Sequence, residues 1–271
     1  MSKKREPMGN KTLSFVMIAY NEEKNIRRAL LSVKSVADEI IVLDSGSNDK
    51  TIEIAREFGA VTYYNKFVDF ASQKNTAISY ASKDYVFVID ADEELNEKLI
   101  AWLNKFKNSE NEKDEFCASG FYVARKSSFV GKWISHSGWF PDYTLRLFKN
   151  GSGVFKKARV HESLDVKGAV LKINGSAFMN HYTYESLEQY FDKFNVYTSL
   201  AASDLVDRGY RPSIAKIVFN PIFSFIKQYI IKLGFCDGIH GFILAVLSAF
   251  YVFVKYCKHY FLYKSSAKTG K

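Results

Sequence analysis

The apolar residues of this chain fall into two regimes. In the first hundred positions they come as short runs, interrupted only at Ser14 and Thr62: Leu13 to Ala19, Ile40 to Leu43, Ala60 to Tyr64 and Tyr85 to Ile89. Runs without polar alternation read as strands covered on both faces, as in a parallel sheet. Between them the apolar positions recur at helical spacing: Ile26, Ala29, Leu30 and Val33, then Ile52, Ile54, Ala55 and Phe58, then the stretch Phe70 to Ala81. Asn25 and Asp49 stand where helix caps belong, and Gly59 where the second helix stops. Repeated strand and helix with short links predicts an α/β fold, a mostly parallel, doubly wound sheet with helices on both faces.

Beyond a helix over Leu95 to Lys107 and a charged link over 108–115, the pattern loosens. Gly120 to Phe129 alternates like an antiparallel strand, another strand is expected near Val170 to Ile173, and Ser186 to Val206 is helical until Arg211-Pro212 breaks it. The second regime follows: two long apolar helical stretches, about 214–233 and 237–263. The chain thus divides into a sheet domain over 12–185 and a helical region over 186–271.

The ends of the predicted strands carry polar groups. Tyr20, Asn21 and Glu22 follow the first, Asp44 ends the second, and Asp90, Asp92, Glu93 and Glu94 follow the fourth. In open α/β sheets this edge binds ligands. Carboxylates so close together repel unless something cationic sits among them, and a divalent metal beside a nucleotide diphosphate is the natural candidate. The alternative is a solvated turn in which Asp92 or Glu93 caps the next helix. No Gly-x-Gly-x-x-Gly and no other glycine-rich phosphate loop follows the first strand, which argues against nicotinamide, flavin and P-loop chemistry.

Charge sharpens the contrast between the regimes. Of a formal net charge of +9, nearly all lies beyond Tyr210, where nine Lys or Arg face a single acid, Asp237. A tail both basic and rich in Phe, Ile, Leu and Tyr points to an anionic membrane surface more than to nucleic acid. Between Asp237 and Lys255 lie 17 uncharged residues, about 26 Å of helix against a hydrocarbon core of about 30 Å. With Gly238 and Gly241 near its start and Lys255 and Lys258 inside it, this stretch suits a helix in the interface or a shallow hairpin, the alternative being a cap packed on the main domain. Three cysteines without metal spacing fit a reducing compartment. The apolar run after Lys3, Lys4, Arg5 and Lys11 is short and lacks a cleavage site, so it reads as the first strand and not as a signal peptide.

With these residues in view, the N-terminal half resembles glycosyltransferase family 2, inverting enzymes of the GT-A fold. The matching stretches are Ile18-Ala19-Tyr20-Asn21-Glu22-Glu23, Val42 to Thr51, Gln73-Lys74-Asn75 and Ile89-Asp90-Ala91-Asp92-Glu93. Further on, Trp139-Phe140-Pro141-Asp142 with Arg146-Leu147-Phe148, then Val160-His161-Glu162, then His181-Tyr182-Thr183-Tyr184, and the apolar tail after Asp237-Gly238, are similar to the WaaE-like subgroup of lipopolysaccharide core glucosyltransferases. The resemblance implies transfer of a hexose, glucose by analogy, from a nucleotide-sugar such as UDP-glucose to a lipopolysaccharide core or other lipid-linked glycan, at the inner face of a bacterial cell membrane. It implies that Asp44 holds the base with Tyr20, Asn21 and Glu22 nearby, and that Lys74 contacts base or phosphate unless it is a solvated helix lysine. Asp90 would meet ribose or metal, Asp92 the metal (Mg²⁺ or Mn²⁺), and His181 a third metal or diphosphate position. Glu162 is the expected general base, with His161 and Asp142 as alternatives because Val-His-Glu departs from the family's usual Glu-Asp. Trp139 and Phe140 would face a sugar, and Arg146, Lys156, Lys157 and Arg159 acceptor phosphates, ordinary packing and a solvated basic face being the other reading. Against this stand a nucleotidyltransferase, which would want a Gly- and Lys/Arg-rich first turn, and a non-catalytic basic module binding membrane or nucleic acid, which the acidic sheet edge disfavours.

Overall fold

In the computed structural model, residues 10–109, 116–156 and 163–269 are described. They form two compact units. The first takes the described residues up to Arg125, from Tyr143 to Lys156 and from Ser163 to His181; the second takes Lys126 to Asp142 and Tyr182 onward.

The first unit opens with the predicted alternation: β1 (Leu13–Ala19), α1 (Ile26–Val33), β2 (Glu39–Asp44), α2 (Thr51–Glu57), β3 (Val61–Tyr64), α3 (Phe70–Ser79) and β4 (Tyr85–Val88). β1 pairs in parallel with both β2 and β4, and β2 with β3. The unbroken apolar runs arise because helices cover both faces. Phe15 and Phe87 stack at 5.0 Å on one side, within a cluster that also takes Ile26, Leu30 and Val33 of α1. Val16, Ile41 and Val86 point to the other side, against Ala77 and Ile78 of α3.

After β4 the sheet becomes mixed. Its further strands are β5 (Glu93–Leu95), β6 (Gly120–Phe129), β7 (Lys132–Trp133), β8 (Asp142–Lys149), β9 (Gly153–Lys156), β10 (Ser163–Val166), β11 (Val170–Lys172) and β12 (Phe178–Tyr184), with α4 (Glu97–Lys107) between β5 and β6. The order is β3-β2-β1-β4-β8-β6-β12-β5, with β8 antiparallel to β4 and β12 antiparallel to β5. β9 and β10 form a separate hairpin. The α/β sheet with helices on both faces is therefore as predicted, but it is mixed where a mostly parallel one was expected. Of its second half, β6 and β11 stand where strands were expected, and β5, β8 and β12 do not follow from the pattern.

Two local expectations change. Asn25 has helical backbone angles and makes no side-chain cap; the turn already begins at Glu22, whose carbonyl accepts from the amides of Asn25 and Ile26. Neither Asp92 nor Glu93 caps α4: Glu93 starts β5, and Asn96 accepts from the Leu99 amide at 2.8 Å. Asn96 also accepts from the Phe178 amide and donates to the Ser176 carbonyl, tying α4 to the start of β12. Asn96→Ala is expected to lower the unfolding free energy by about 1–2 kcal/mol, read from the urea midpoint; an unchanged midpoint would show that the cap is dispensable.

In the second unit, the end of β6 pairs with β7, and three long helices follow: α5 (Leu187–Asp207), α6 (Ile214–Ile226) and α7 (Gly238–Thr269). Phe129, Ile134, Tyr190, Phe194 and Leu244 form its core. α6 widens into a π-turn over Lys227–Ile231. The stretches Ile214–Ile231 and Gly234–Ser265 are long and apolar enough to cross a membrane by length and composition, and no residue of α6 is buried.

Candidate active site

The site builds up from three strand ends and one helix. The turns after β1 and β2 are tied to each other. Asn21, at φ +54°, receives the Asn48 amide on its side-chain oxygen and donates its own amide to the Ser47 hydroxyl. The Glu22 amide donates to the Thr51 hydroxyl, and the Glu23 amide to Asp49. Asp49 also accepts from the Thr51 amide at 3.0 Å, but it stands one residue ahead of the N-cap position at Lys50, which makes no side-chain cap, so the expected cap is an Asx turn instead. Asp44, 6% exposed, accepts from the amides of Gly46 and Ser47, both at 2.8 Å, and from the Ser47 hydroxyl. Gly46 sits at φ +103°, backbone that a side chain would strain. Tyr20 stands largely exposed beside this double turn, 60% accessible.

α3 contributes buried polar groups where an amphipathic helix would place apolar ones. Gln73 donates to the Ser45 hydroxyl and to the Asn65 carbonyl. Asn75 exchanges two hydrogen bonds with the Phe155 backbone of β9. Lys74 is 6% exposed, its ammonium 3.1 Å from Asp90 and above the Phe155 ring. It is not a solvated helix lysine.

Asp90 is the hub. One oxygen meets Lys74; the other accepts from Arg146 at 2.8 Å. Arg146, 4% exposed, also reaches Glu93 at 2.5 Å, and Arg125 lies 3.6 Å from the same Glu93 oxygen. Glu93 is fully buried, and its second oxygen accepts from the Asp90 amide. Burial works to raise the Asp90 carboxyl, but the Arg146 and Lys74 charges outweigh it and hold Asp90 well below the usual carboxylate range. At Glu93 burial wins and the carboxyl is pushed up, with Asp90 adding to the rise. Burial works against the Arg146 charge, but Asp90 and Glu93 hold its guanidinium more firmly protonated than usual.

The sequence reading had placed Arg146 toward acceptor phosphates; it is instead an internal counter-ion. Lys156 is exposed and pairs with Asp165 across the β9–β10 hairpin at 2.6 Å. Arg125, and the pairing of Glu93 with Arg146, do not follow from the sequence pattern. The available signal was a charged residue set among apolar neighbours, as in Leu145-Arg146-Leu147-Phe148, all of which are buried.

Asp92 lies one turn beyond the hub. β12 runs antiparallel to β5 with His181 opposite Glu93, which brings the His181 ring to 3.4 Å from the Asp92 carboxylate. Both side chains are partly exposed, His181 at 15% and Asp92 at 28%. Of the other expected site residues, Asp142 is half-buried at the start of β8. His161 and Glu162 lie outside the described residues, as do Lys157 and Arg159.

Among the described residues no group of three or more His, Cys, Asp or Glu is arranged to hold a metal ion. Asp90 is committed to Lys74 and Arg146, whereas Asp92 and His181 stand side by side at partly exposed positions. A carboxylate and an imidazole leave most of a coordination sphere to phosphate and water, which is how Mg²⁺ is commonly held beside nucleotides. The residues therefore fit a divalent ion bound together with a diphosphate, and do not make a closed cage.

The sequence model of glycosyl transferase family 2 matches residues 14–156, just over half of the chain, which includes Asp44, Lys74, Asp90, Asp92, Glu93 and Arg146 but not His181. A protein of Rickettsia typhi called an uncharacterized glycosyltransferase is 32% identical over 260 residues, covering 92% of this chain and 86% of its own. The lipopolysaccharide core biosynthesis glycosyltransferase LpsC of Rhizobium meliloti is 28% identical over 254 residues, 92% of each chain. In three dimensions, residues 1–349 of TarS from S. aureus superpose with a TM-score of 0.48 at 15% identity, covering 96% of this chain and 92% of that one. On the family match and the full-length likeness to the rickettsial protein, this chain belongs to glycosyl transferase family 2 and is a glycosyltransferase.

Proposed function

We propose that the protein moves a hexose, glucose in the first instance, from a UDP-sugar to a lipopolysaccharide core or other lipid-linked glycan, with inversion at the anomeric carbon. The observation that carries this reading is the polar edge formed where β1, β2 and β4 end: the Asp44 turn, the Lys74–Asp90 pair and the Asp92–His181 pair. In a single displacement the acceptor oxygen attacks the anomeric carbon, the bond from that carbon to the diphosphate oxygen breaks, and its electron pair leaves with the nucleoside diphosphate. One general base must take the acceptor hydroxyl's proton as the new bond forms. We assign that role to Glu162, with His161 and Asp142 as the other candidates.

Asp44 accepts from the base, and its rigid turn with Asn21 and Glu22 holds nucleotide and ribose in one orientation. Asp90, kept ionised by Arg146 and Lys74, is a fixed acceptor for ribose hydroxyls. Asp92 and His181 would hold Mg²⁺ or Mn²⁺, which when bound acts as a Lewis acid on the leaving diphosphate. The 12–185 region carries transfer. The basic, apolar 186–271 region holds the enzyme on the cytoplasmic face of the cell membrane, as a peripheral or monotopic protein. The length and exposure of its apolar helices, and the likeness to LpsC, a lipopolysaccharide core glycosyltransferase, support that placement.

Calorimetric titration of UDP and UDP-sugars into the detergent-solubilised protein tests the reading. UDP is expected to bind with Mn²⁺ present and to weaken at least about tenfold on adding EDTA. No uridine ligand binding to folded protein in Mn²⁺ would sink the UDP assignment.

A further inference from the structure

The second unit holds a cavity of about 530 Å³ that the transfer chemistry above does not use. Its volume is within the usual range for small-molecule sites, about 300–1,000 Å³. Its lining combines three chemistries. Lys227 and Lys232 bring two ammonium groups, and neither has an acidic partner among the described residues. Gln228 brings an amide; the residue is 9% exposed, and its side chain makes no hydrogen bond within the protein among the described residues. Neither polar atom of the Gln228 side chain is a fully buried unpaired one, so the amide opens onto the cavity, where a ligand can meet it. Trp139, Tyr190 and Tyr251 bring flat aromatic faces.

The cavity is built, not left over from loose packing. Lys227 to Ile231 is the π-turn, a distortion that recurs at functional sites. The turn carrying Gly138 and Trp139 is fixed by Asp237, which is 3% exposed. Its carboxylate accepts from the Ser135 and His136 amides at 3.1 and 2.9 Å, and it lies 3.3 Å from the His136 ring nitrogen and 3.4 Å from the Ser137 hydroxyl. The Ser137 amide in turn donates to the Lys232 carbonyl at 2.9 Å. Gly138 sits at φ +73°, backbone that favours glycine, with the Lys232 stem in van der Waals reach. Burial pushes the Tyr184 phenol on the lining up to about 12, so it stays protonated as a donor.

We propose that this cavity binds a phosphorylated saccharide, with Lys227 and Lys232 on the phosphate, the aromatic faces against the pyranose ring and Gln228 on its hydroxyls. The inference rests on the glycosyl-transfer reading, in which such a group is the head of the acceptor. The apolar surface of α6, with Phe219 and Phe223 each more than 60% exposed, would keep company with that acceptor's lipid.

The test compares binding of the full-length protein to rough lipopolysaccharide in detergent micelles, to the same lipid after enzymatic dephosphorylation, to empty micelles and to free glucose 1-phosphate. K227Q/K232Q and K227R/K232R are measured alongside, with UDP binding as the control. Both lysines are solvent-exposed, so neither pair should disturb folding. Phosphate removal and K227Q/K232Q are each expected to weaken binding at least about tenfold, the Arg pair to retain it, and UDP binding to stay unchanged. Preference for micelles over glucose 1-phosphate would identify a glycolipid source; equal binding would identify a soluble sugar phosphate. Binding indifferent to phosphate or to K227Q/K232Q, with UDP still bound, would overturn the cavity assignment alone. Lysine-dependent binding without any UDP binding would keep the cavity and overturn the donor reading.

Discussion

Arg146→Ala is expected to lower the unfolding free energy by about 3–5 kcal/mol, the usual cost of removing one partner from a buried ion cluster. The guanidinium is 4% exposed and stands against both Asp90 and Glu93. Without it, Glu93 remains fully buried with Arg125 at 3.6 Å as its nearest cation. Glu93 would then give up its charge by taking a proton, because burial already pushes its carboxyl upward. Adding Glu93→Gln to Arg146→Ala should therefore cost less than the sum of the two single changes. Urea titrations of the four proteins, with unchanged slope, check this; a loss under about 1 kcal/mol for Arg146→Ala would show that the cluster relaxes without it. Arg146→Lys should fall between, since an ammonium cannot reproduce the fork that spans two carboxylates.

Asp92→Asn is expected to do the reverse: transfer should fall about 10²–10³-fold while the melting temperature moves little. The two carboxylates are held differently. Both side chains are 28% exposed, but Asp90 is bound into the fold by Lys74 and Arg146, whereas Asp92 meets the His181 ring at 3.4 Å. A group held so lightly is available to a ligand. The amide removes the negative charge at nearly constant size, so the readout separates charge from packing. The check is initial transfer rate against Mn²⁺ concentration, with Tm recorded in parallel. Wild-type rates at every Mn²⁺ concentration would remove Asp92 from the mechanism.

The parallel half of the sheet was legible because both faces of β1, β2 and β4 are covered, which forces unbroken apolar runs such as Phe15-Val16-Met17-Ile18 and Val86-Phe87-Val88-Ile89. The carboxylates at the strand ends were legible for the same reason, since polar groups right after such a run have to lie at the sheet's edge. The partners of those carboxylates were not. Arg146 and Lys74 lie 56 and 16 positions from Asp90 and reach it through the β4–β8 pairing and α3, and no local pattern encodes such a meeting. The burial of Glu93 was not legible either, because it depends on Arg146 and Arg125 from distant strands. Beyond β4, strands β6 and β11 stand where the sequence placed them, at Gly120–Phe129 and Val170–Lys172, but β8 escaped for another reason. In β8, Asp142 to Lys149, the burial is neither alternating nor continuous, so neither strand template fits it.

The segment Lys126 to Asp142 has a practical consequence. It belongs to the same compact unit as α5, α6 and α7, and its Phe129 and Ile134 share a core with Tyr190, Phe194 and Leu244. The helical region is therefore not an appendage that a cut after Glu185 would cleanly remove. Such a truncation would leave Phe129, Ile134 and Trp139 facing water in the middle of the remaining chain, the sort of contiguous apolar patch that drives aggregation. A soluble form is better sought by changing the outward residues of α6, among them Phe219, Ile222 and Phe223, and keeping the helices.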